Sequence, residues 1–318
     1  MNYKSIFNLL GILLGIFSLS FVPPLMLTFT YEESGREIFL YSFIFFFILG
    51  GSIWAATRQQ NLPLNISDGF IITTLFWVVL AFAGSIPFYF FGLSVSDAIF
   101  ESVSGITTTG ATTIVGLDSL PKSILLYRQL LQWIGGMGLI VLAVAVMPAL
   151  GIGGGQLYKM ELPGSHGNQK LTPKITDSAK ALWKIYVGLT FICAMLYLLS
   201  GMTLFDSIAH SLSTVAGGGF STHDESIGFF NSAIIETVCI IFMLLSAASF
   251  AVHYVAIFGG KPLKYFYDSE FRFFLSVVLL IILLSLMIHI LSNSYADVFS
   301  AISSSIFHTV SIVTTSGF

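Results

Sequence analysis

The chain has 318 residues, of which only 9% are charged and 55% hydrophobic, with 31 phenylalanines and a mean hydropathy of +0.90. Soluble domains carry about 25% charged residues, so a water-soluble enzyme or binding module is excluded and the composition is that of a chain dissolved in lipid. The net charge of −3 is uninformative as a total, and no nucleic-acid partner is expected. Cys193 and Cys239 both sit inside apolar runs and read as small buried hydrophobes, not as a disulfide.

Taken in chain order, runs of roughly 20 apolar residues, enough for a helix to cross ~30 Å of hydrocarbon, predict spans at 5–29, 38–57, 70–92, 126–149, 180–201, 229–258 and 272–292. The first is too long for a signal-peptide core and lacks a small-residue cleavage site, so removal is not expected. Pro23 and Pro24 are expected to end or kink it near its outer end. A shorter, more polar segment follows the third, fifth and seventh spans, at 97–106, 206–215 and 297–313. Each is too rich in Ser and Thr to span. Each reads as a half-helix that enters the membrane and returns as extended backbone.

These three segments are copies of one another. Each runs into a Ser/Thr/Gly cluster that stops at a glycine: Gly110, Gly219 and Gly317. Aligned on that glycine, Ile99, Ile208 and Ile306 coincide, as do Ser104, Ser213 and Ser311, while Glu101, His210 and His308 share a register. The spacing of roughly 100 residues is too long for a solenoid, whose period is about 20–50. It suits two spans with a re-entrant hairpin between them, which is the layout of an ion pore.

Backbone that is neither helix nor closed barrel survives at membrane depth only where protein or water satisfies it. Thr107 to Gly110, Ala216 to Gly219 and Thr314 to Gly317 are poor helix interiors and good extended linings. The preceding half-helix would aim its negative C-terminal end at the membrane centre, which favours a cation. Carbonyl rings of this kind can replace the water shell of potassium. The candidate ion-binding residues are therefore Thr108, Thr109, Gly110, Gly217, Gly218, Gly219, Thr315, Ser316 and Gly317, with potassium as transported substrate and no cofactor.

With the amino terminus cytoplasmic, Lys4, Arg58, Lys159, Lys170, Lys174, Lys180, Lys184, Lys261, Lys264 and Arg272 fall inside, against Arg36, Lys122 and Arg128 outside. This positive-inside asymmetry puts all three half-helices on the outer side. Glu32, Glu33, Glu37, Asp97, Glu101, Asp118, Asp206, Asp224, Glu225 and Asp297 lie toward the outer mouth, as a cation-attracting vestibule or as ordinary solvated loops.

The segments Glu101 to Thr112, Gln132 to Gly138, Gly219 to Asp224 and Thr309 to Gly317 resemble the motifs of the Trk/Ktr/HKT superfamily of potassium transporters, and of its bacterial Trk potassium uptake branch in particular. The resemblance implies an all-α integral membrane fold of repeated units, each an outer helix, a pore half-helix with filter loop, and an inner helix. Four such units would surround one pseudo-fourfold pore in the inner membrane. It further implies a homodimer and a cytoplasmic nucleotide-binding regulatory subunit. Mapped here, residues 1–69 would hold two extra helices, 70–152 a first pore unit, 153–179 a cytoplasmic loop, 180–258 a second unit, and 259–318 a third that stops at its filter. On that mapping the chain is expected to be a C-terminally truncated part of a longer transporter, and uptake by the 318 residues alone is not expected.

Other residues carry less. Gly135 to Gly138 reads as small-residue helix packing or as a pore-side hinge. Gly151 to Gly155 lacks the Gly-Lys-Ser/Thr ending of a phosphate loop and reads as a helix stop. Glu236 is a costly intramembrane carboxylate that pairs with His210 or sits at the outer interface. His253 and His289 read as helix-end or packing residues, and Glu101 as a hydrogen bond behind the filter. No metal-ligand spacing, nucleophile elbow or paired carboxylates support catalysis, so the chain is not read as an enzyme. A membrane enzyme using Glu236 and the histidines is an alternative. So is a secondary transporter with broken helices, though repeats that all start inside are parallel, which favours a filter.

Overall fold

The computed structural model describes residues 3–58, 66–146, 175–292 and 298–318, and among these every regular element is helical. Helices α1 (Tyr3–Ser18), α2 (Val22–Thr30) and α3 (Arg36–Thr57) form an N-terminal pair of spans. They cross where small residues let backbones touch: a Cβ on Gly50 would lie 2.6 Å from the Gly11 oxygen and the Gly15 nitrogen. The turn between α1 and α2 has a covalent cause. Pro23 and Pro24 have no N–H to offer the carbonyls one turn back, so Leu19–Phe21 tightens to a 3-10 turn. The helix restarts with the prolines in its first turn, where no N–H is missed. Pro23 and Pro24 therefore kink the span without ending it.

The remaining helices alternate in length. Outer helix α4 (Ile66–Phe90) leads to half-helix α5 (Val95–Ile106) and inner helix α6 (Lys122–Val146). The same order repeats in α7 (Ile175–Leu199), α8 (Leu204–Ala216) and α9 (Ala233–Ala247). After α10 (Phe250–Ile257) and the single turn α11 (Lys264–Tyr267), α12 (Ser269–Leu291) and α13 (Val298–Val313) begin it a third time. Two half-helices start on side-chain caps: Ser94 Oγ accepts the Asp97 N–H at 3.2 Å and Thr203 Oγ1 accepts the Asp206 N–H at 3.1 Å. Asp97 and Asp206 answer by accepting those hydroxyls, at 2.6 and 2.7 Å.

Among the described residues five helices are long and apolar enough to cross a membrane. Two buried clusters form the interior, one joining the N-terminal pair to α4–α6, the other joining α6 to α7–α9, α12 and α13. The N-terminal pair is also keyed to the first inner helix. The Glu33 carboxylate accepts the N–H groups of Lys122 and Ser123 at 2.7 and 3.0 Å, capping the first turn of α6.

The sixth span differs from the sequence expectation. Residues 229–258 were expected as one helix, but α9 stops at Ala247 and α10 resumes at Phe250, with Ala248 extended at φ −73°, ψ 143°. His253 supplies the reason: its Nε2 lies 2.9 Å from the Leu245 oxygen, where a continuing helix would place the Ser249 N–H. Its Nδ1 meets the Tyr265 hydroxyl at 2.6 Å, tying α10 to α11. His253 is thus a packing residue with a specific task. Gly151 to Gly155, Lys159, Lys170, Lys174 and Asp297 lie outside the described residues, as does most of the 153–179 loop.

Candidate ion-filter site

The three half-helices end in the same backbone figure. Thr108, Gly217 and Thr315 each carry positive φ (+55°, +70° and +61°), and two residues later Gly110, Gly219 and Gly317 do so again (+79°, +73° and +77°). The turn is set by matching bonds from the last helical residues: the N–H groups of Thr108, Gly217 and Thr315 donate to the carbonyls of Gly105, Thr214 and Ile312 at 3.0, 3.1 and 3.0 Å. A left-handed conformation is unfavourable for a β-branched residue, by about 1–3 kcal/mol. Two threonines hold it here.

The segments meet one another. A Cβ on Gly110 would lie 2.0 Å from the Gly218 oxygen and 3.4 Å from the Ser316 oxygen, and one on Gly219 would lie 1.7 Å from the Ser316 oxygen. No side chain fits at either position. The structure thus brings Gly110, Gly218, Gly219, Ser316 and Gly317 together, with Thr108, Thr109, Gly217 and Thr315 on the same short segments.

Each return strand is held from behind by its own half-helix. Ser104 Oγ donates to the Ala111 oxygen at 2.5 Å, and Ser311 Oγ to the Phe318 oxygen at 3.1 Å, in both cases the residue after the filter glycine. The aligned Ser213 instead donates to Gln132 Oε1 at 2.8 Å. One helical turn earlier in the alignment, Glu101 Oε1 accepts the Thr112 hydroxyl and the Thr113 N–H, and His210 Nε2 lies 2.9 Å from Ser221 Oγ. Thr112 and Ser221 each follow their filter glycine by two positions. Glu101 therefore makes the kind of hydrogen bond expected of it, to the segment that follows Gly110. His308, in the same register, is exposed and faces a cavity of about 550 Å³ shared with Glu236 and Phe318. Glu236 does not pair with His210. Its Oε2 accepts the Ser303 hydroxyl at 3.2 Å, because it stands in the first turn of α9 beside the third half-helix.

Two buried residues at the site were given no role there by the sequence reading, although Gln132 opens one of the family-like motifs. Arg128, counted above as an outer-side charge, is fully buried, and its Nε lies 3.3 Å from Glu101 Oε2. Its Nη2 donates to Thr112 Oγ1 at 3.0 Å and its Nη1 to the Ser221 oxygen at 3.1 Å, with the guanidinium over the Phe220 ring at 4.2 Å. One turn along α6, Gln132 Nε2 donates to the Gly218 oxygen at 2.6 Å while its Oε1 accepts the Phe220 N–H at 3.1 Å. A charged and an amide side chain four residues apart on a buried membrane helix was the available signal. Farther along that helix, Gly135 to Gly138 is packing surface: a Cβ on Gly135 would meet the Ile106 oxygen at 2.0 Å, and one on Gly138 the Trp77 ring at 2.8 Å.

The acidic residues also sort differently from a plain vestibule. Glu33, Asp97 and Asp206 cap helices and Glu101 is an ion-pair partner. At the surface Asp118 pairs with His223 Nδ1, and the Gly116 N–H donates to Asp224 Oδ1 at 2.9 Å, joining the two filter-to-inner-helix loops. The hydrogen bond from His223 holds the Asp118 carboxyl below its ordinary value of 3.8.

Residues 35–318 match the family model of TrkH, described as a cation transport protein. The chain belongs to the TrkH family. It is 46% identical over 323 residues to the Trk system potassium uptake protein TrkH of Vibrio parahaemolyticus serotype O3:K6, covering 100% of this chain and 67% of that protein. The TrkH of Escherichia coli K12 is 43% identical, covering 100% and 66%, and its TrkG is 43% identical, covering 89% and 59%. The crystal structure of the potassium transporter TrkH from Vibrio parahaemolyticus superposes with a TM-score of 0.86 at 44% identity, over 98% of this chain and 64% of that one. The chain thus spans about two thirds of the length of the TrkH relatives it matches. Its described residues are helical, and five of their helices are long and apolar enough to cross a membrane.

Proposed function

We propose that this TrkH-family chain takes part in potassium uptake, supplying filter segments whose backbone oxygens replace the water around the ion. The observation that carries this reading is the convergence of Gly110, Gly218, Gly219 and Ser316 main chain within the reach of one Cβ. Alternation of positive and negative φ along 108–110, 217–219 and 315–317 supports it, because such alternation turns successive carbonyls toward the same side. Residues 1–69 act as an N-terminal pair, 70–152 and 180–258 as pore units, and 259–318 as a third, in a pore completed to pseudo-fourfold symmetry. The repeat of outer helix, half-helix and inner helix supports that division.

The basic-residue asymmetry supports a cytoplasmic amino terminus, and the bacterial source of the relatives supports the bacterial inner membrane. A homodimer and a cytoplasmic nucleotide-binding regulator complete the system. The Trk system names of the relatives suit such an assembly. The test is rubidium and sodium uptake by Gly110→Ser, Gly219→Ser and Gly317→Ser variants, measured in a potassium-uptake-deficient bacterium carrying the whole gene. Each is expected to lower the rubidium-to-sodium ratio. An unchanged ratio at all three positions refutes a shared filter.

A further inference from the structure

We propose that Arg128 and Gln132 of the first inner helix are specificity-determining positioning residues, which fix the separation of the first and second filter segments and thereby the preference for potassium over sodium. The inference rests on the filter reading above and deepens it.

Arg128 joins three things at once: Glu101 on the first half-helix, Thr112 on the first return strand, and the Ser221 carbonyl on the second. Gln132, from the same helix, holds the Gly218 carbonyl and the Phe220 N–H, which flank Gly219 on either side. The first unit's inner helix thus grips the second unit's filter. Both side chains are fully buried, as is Glu101, so no water competes for these bonds. The Gly218 oxygen held by Gln132 is also the atom that Gly110 approaches. A carbonyl already engaged by an amide N–H cannot swing freely toward a smaller ion, and a strand pinned at Ser221 cannot close up. Sodium needs shorter contacts than potassium, so a filter held apart disfavours it.

A purely structural ion pair would ask only that the Glu101 charge be neutralised. A positioning role asks for the fork. Arg128→Lys separates the two, since lysine keeps the charge beside Glu101 but cannot bond Glu101, Thr112 and the Ser221 carbonyl in one plane. Gln132→Met keeps the volume and removes three bonds to the second unit, those with Gly218, Phe220 and Ser213.

The experiment uses the whole gene product, purified in detergent. Thermal unfolding is followed while KCl or NaCl is titrated at constant ionic strength with choline, since an ion bound by the folded state raises the midpoint according to its affinity. Rubidium and sodium uptake in cells runs in parallel. Arg128→Lys and Gln132→Met are expected to fold and to reduce the potassium-to-sodium affinity ratio by about tenfold, roughly 1.4 kcal/mol of discrimination. Ser102→Ala removes another buried hydrogen bond of the first half-helix, to the Ala81 carbonyl, and should leave the ratio unchanged. Ratios within twofold of wild type in both variants, with Gly219→Ser still lowering it, overturn the positioning role and leave the filter reading intact. A Gly219→Ser ratio equal to wild type removes the filter reading and this proposal with it. If neither Arg128→Lys nor Gln132→Met folds, the residues are requirements of the fold and the proposal is wrong.

Discussion

Gly219→Ala probes the closest approach between the proposed filter segments, and two effects add. An alanine at φ +73° costs about 1–2 kcal/mol through the left-handed backbone alone. Its methyl would also fall 1.7 Å from the Ser316 oxygen and 2.7 Å from the Ser316 carbonyl carbon. The two strands must then part by roughly an ångström or more, and overpacking of a tight site costs about 1–3 kcal/mol further. Gly217→Ala is the internal control. It has nearly the same φ, +70°, but the nearest atom to its Cβ would be Ser246 Oγ at 3.9 Å. Its register partners Thr108 and Thr315 already carry side chains in that conformation. Gly110→Ala groups with Gly219→Ala, its methyl falling 2.0 Å from the Gly218 oxygen. Rubidium and sodium uptake per membrane-inserted molecule, together with the unfolding midpoint in detergent, would be measured for all three. Gly219→Ala and Gly110→Ala should lose about tenfold or more in rubidium preference, and Gly217→Ala about threefold or less. Indistinguishable effects at 217 and 219 would refute the reasoning, because backbone strain alone would then account for both.

Two further predictions follow from the surface. With Cys193 and Cys239 replaced by alanine, an impermeant thiol reagent added to intact cells should label Glu225→Cys and spare Lys261→Cys, both positions being exposed; the reverse pattern inverts the topology. Asp118 has its folded pKa lowered by His223, so its contribution to stability is present above the unfolded value near 3.8 and is lost as pH falls through the lower folded value. The midpoint difference between wild type and Asp118→Asn should therefore persist at pH 6 and shrink below about pH 4, and a constant difference across that range would break the link.

Much of this architecture was legible because lipid imposes strict rules. Span positions followed from apolar length, and the half-helices from segments too short and too hydroxyl-rich to cross; α5 and α8 start within two residues of their expected positions. The triple alignment on glycine found two positions where backbones touch, Gly110 and Gly219, whereas Gly317 has open space at its Cβ and shares with them only the positive φ. What stayed hidden depends on contacts between units. Arg128 in sequence is one basic residue near a helix start, and only the fold turns it inward to meet Glu101. The break at Ala248 was invisible because it has no proline or glycine. It is set by His253, five residues further on, reaching back to the Leu245 carbonyl.

The braces act where the chain leaves the helix and its backbone bonds run out, and on the first strand they oppose strain as well. Thr108 and Thr315 sit in a conformation that threonine avoids, and the segments that hold them contribute few helical hydrogen bonds of their own. Left to relax, such a strand would return to negative φ and carry its carbonyls away from the common centre. Ser104, Glu101 and Arg128 on the first strand, and Gln132, His210 and Arg128 on the second, supply bonds from rigid helices that only this geometry satisfies. In a buried, low-dielectric site each bond left unmade would cost about 1–3 kcal/mol, which is comparable with the strain at one threonine. On the first two strands buried polar side chains thus stand where the backbone leaves the helix, while on the third Ser311 does so alone among the bonds described. That coincidence, together with the glycines, is what supports the proposal that ions bind where the half-helices converge.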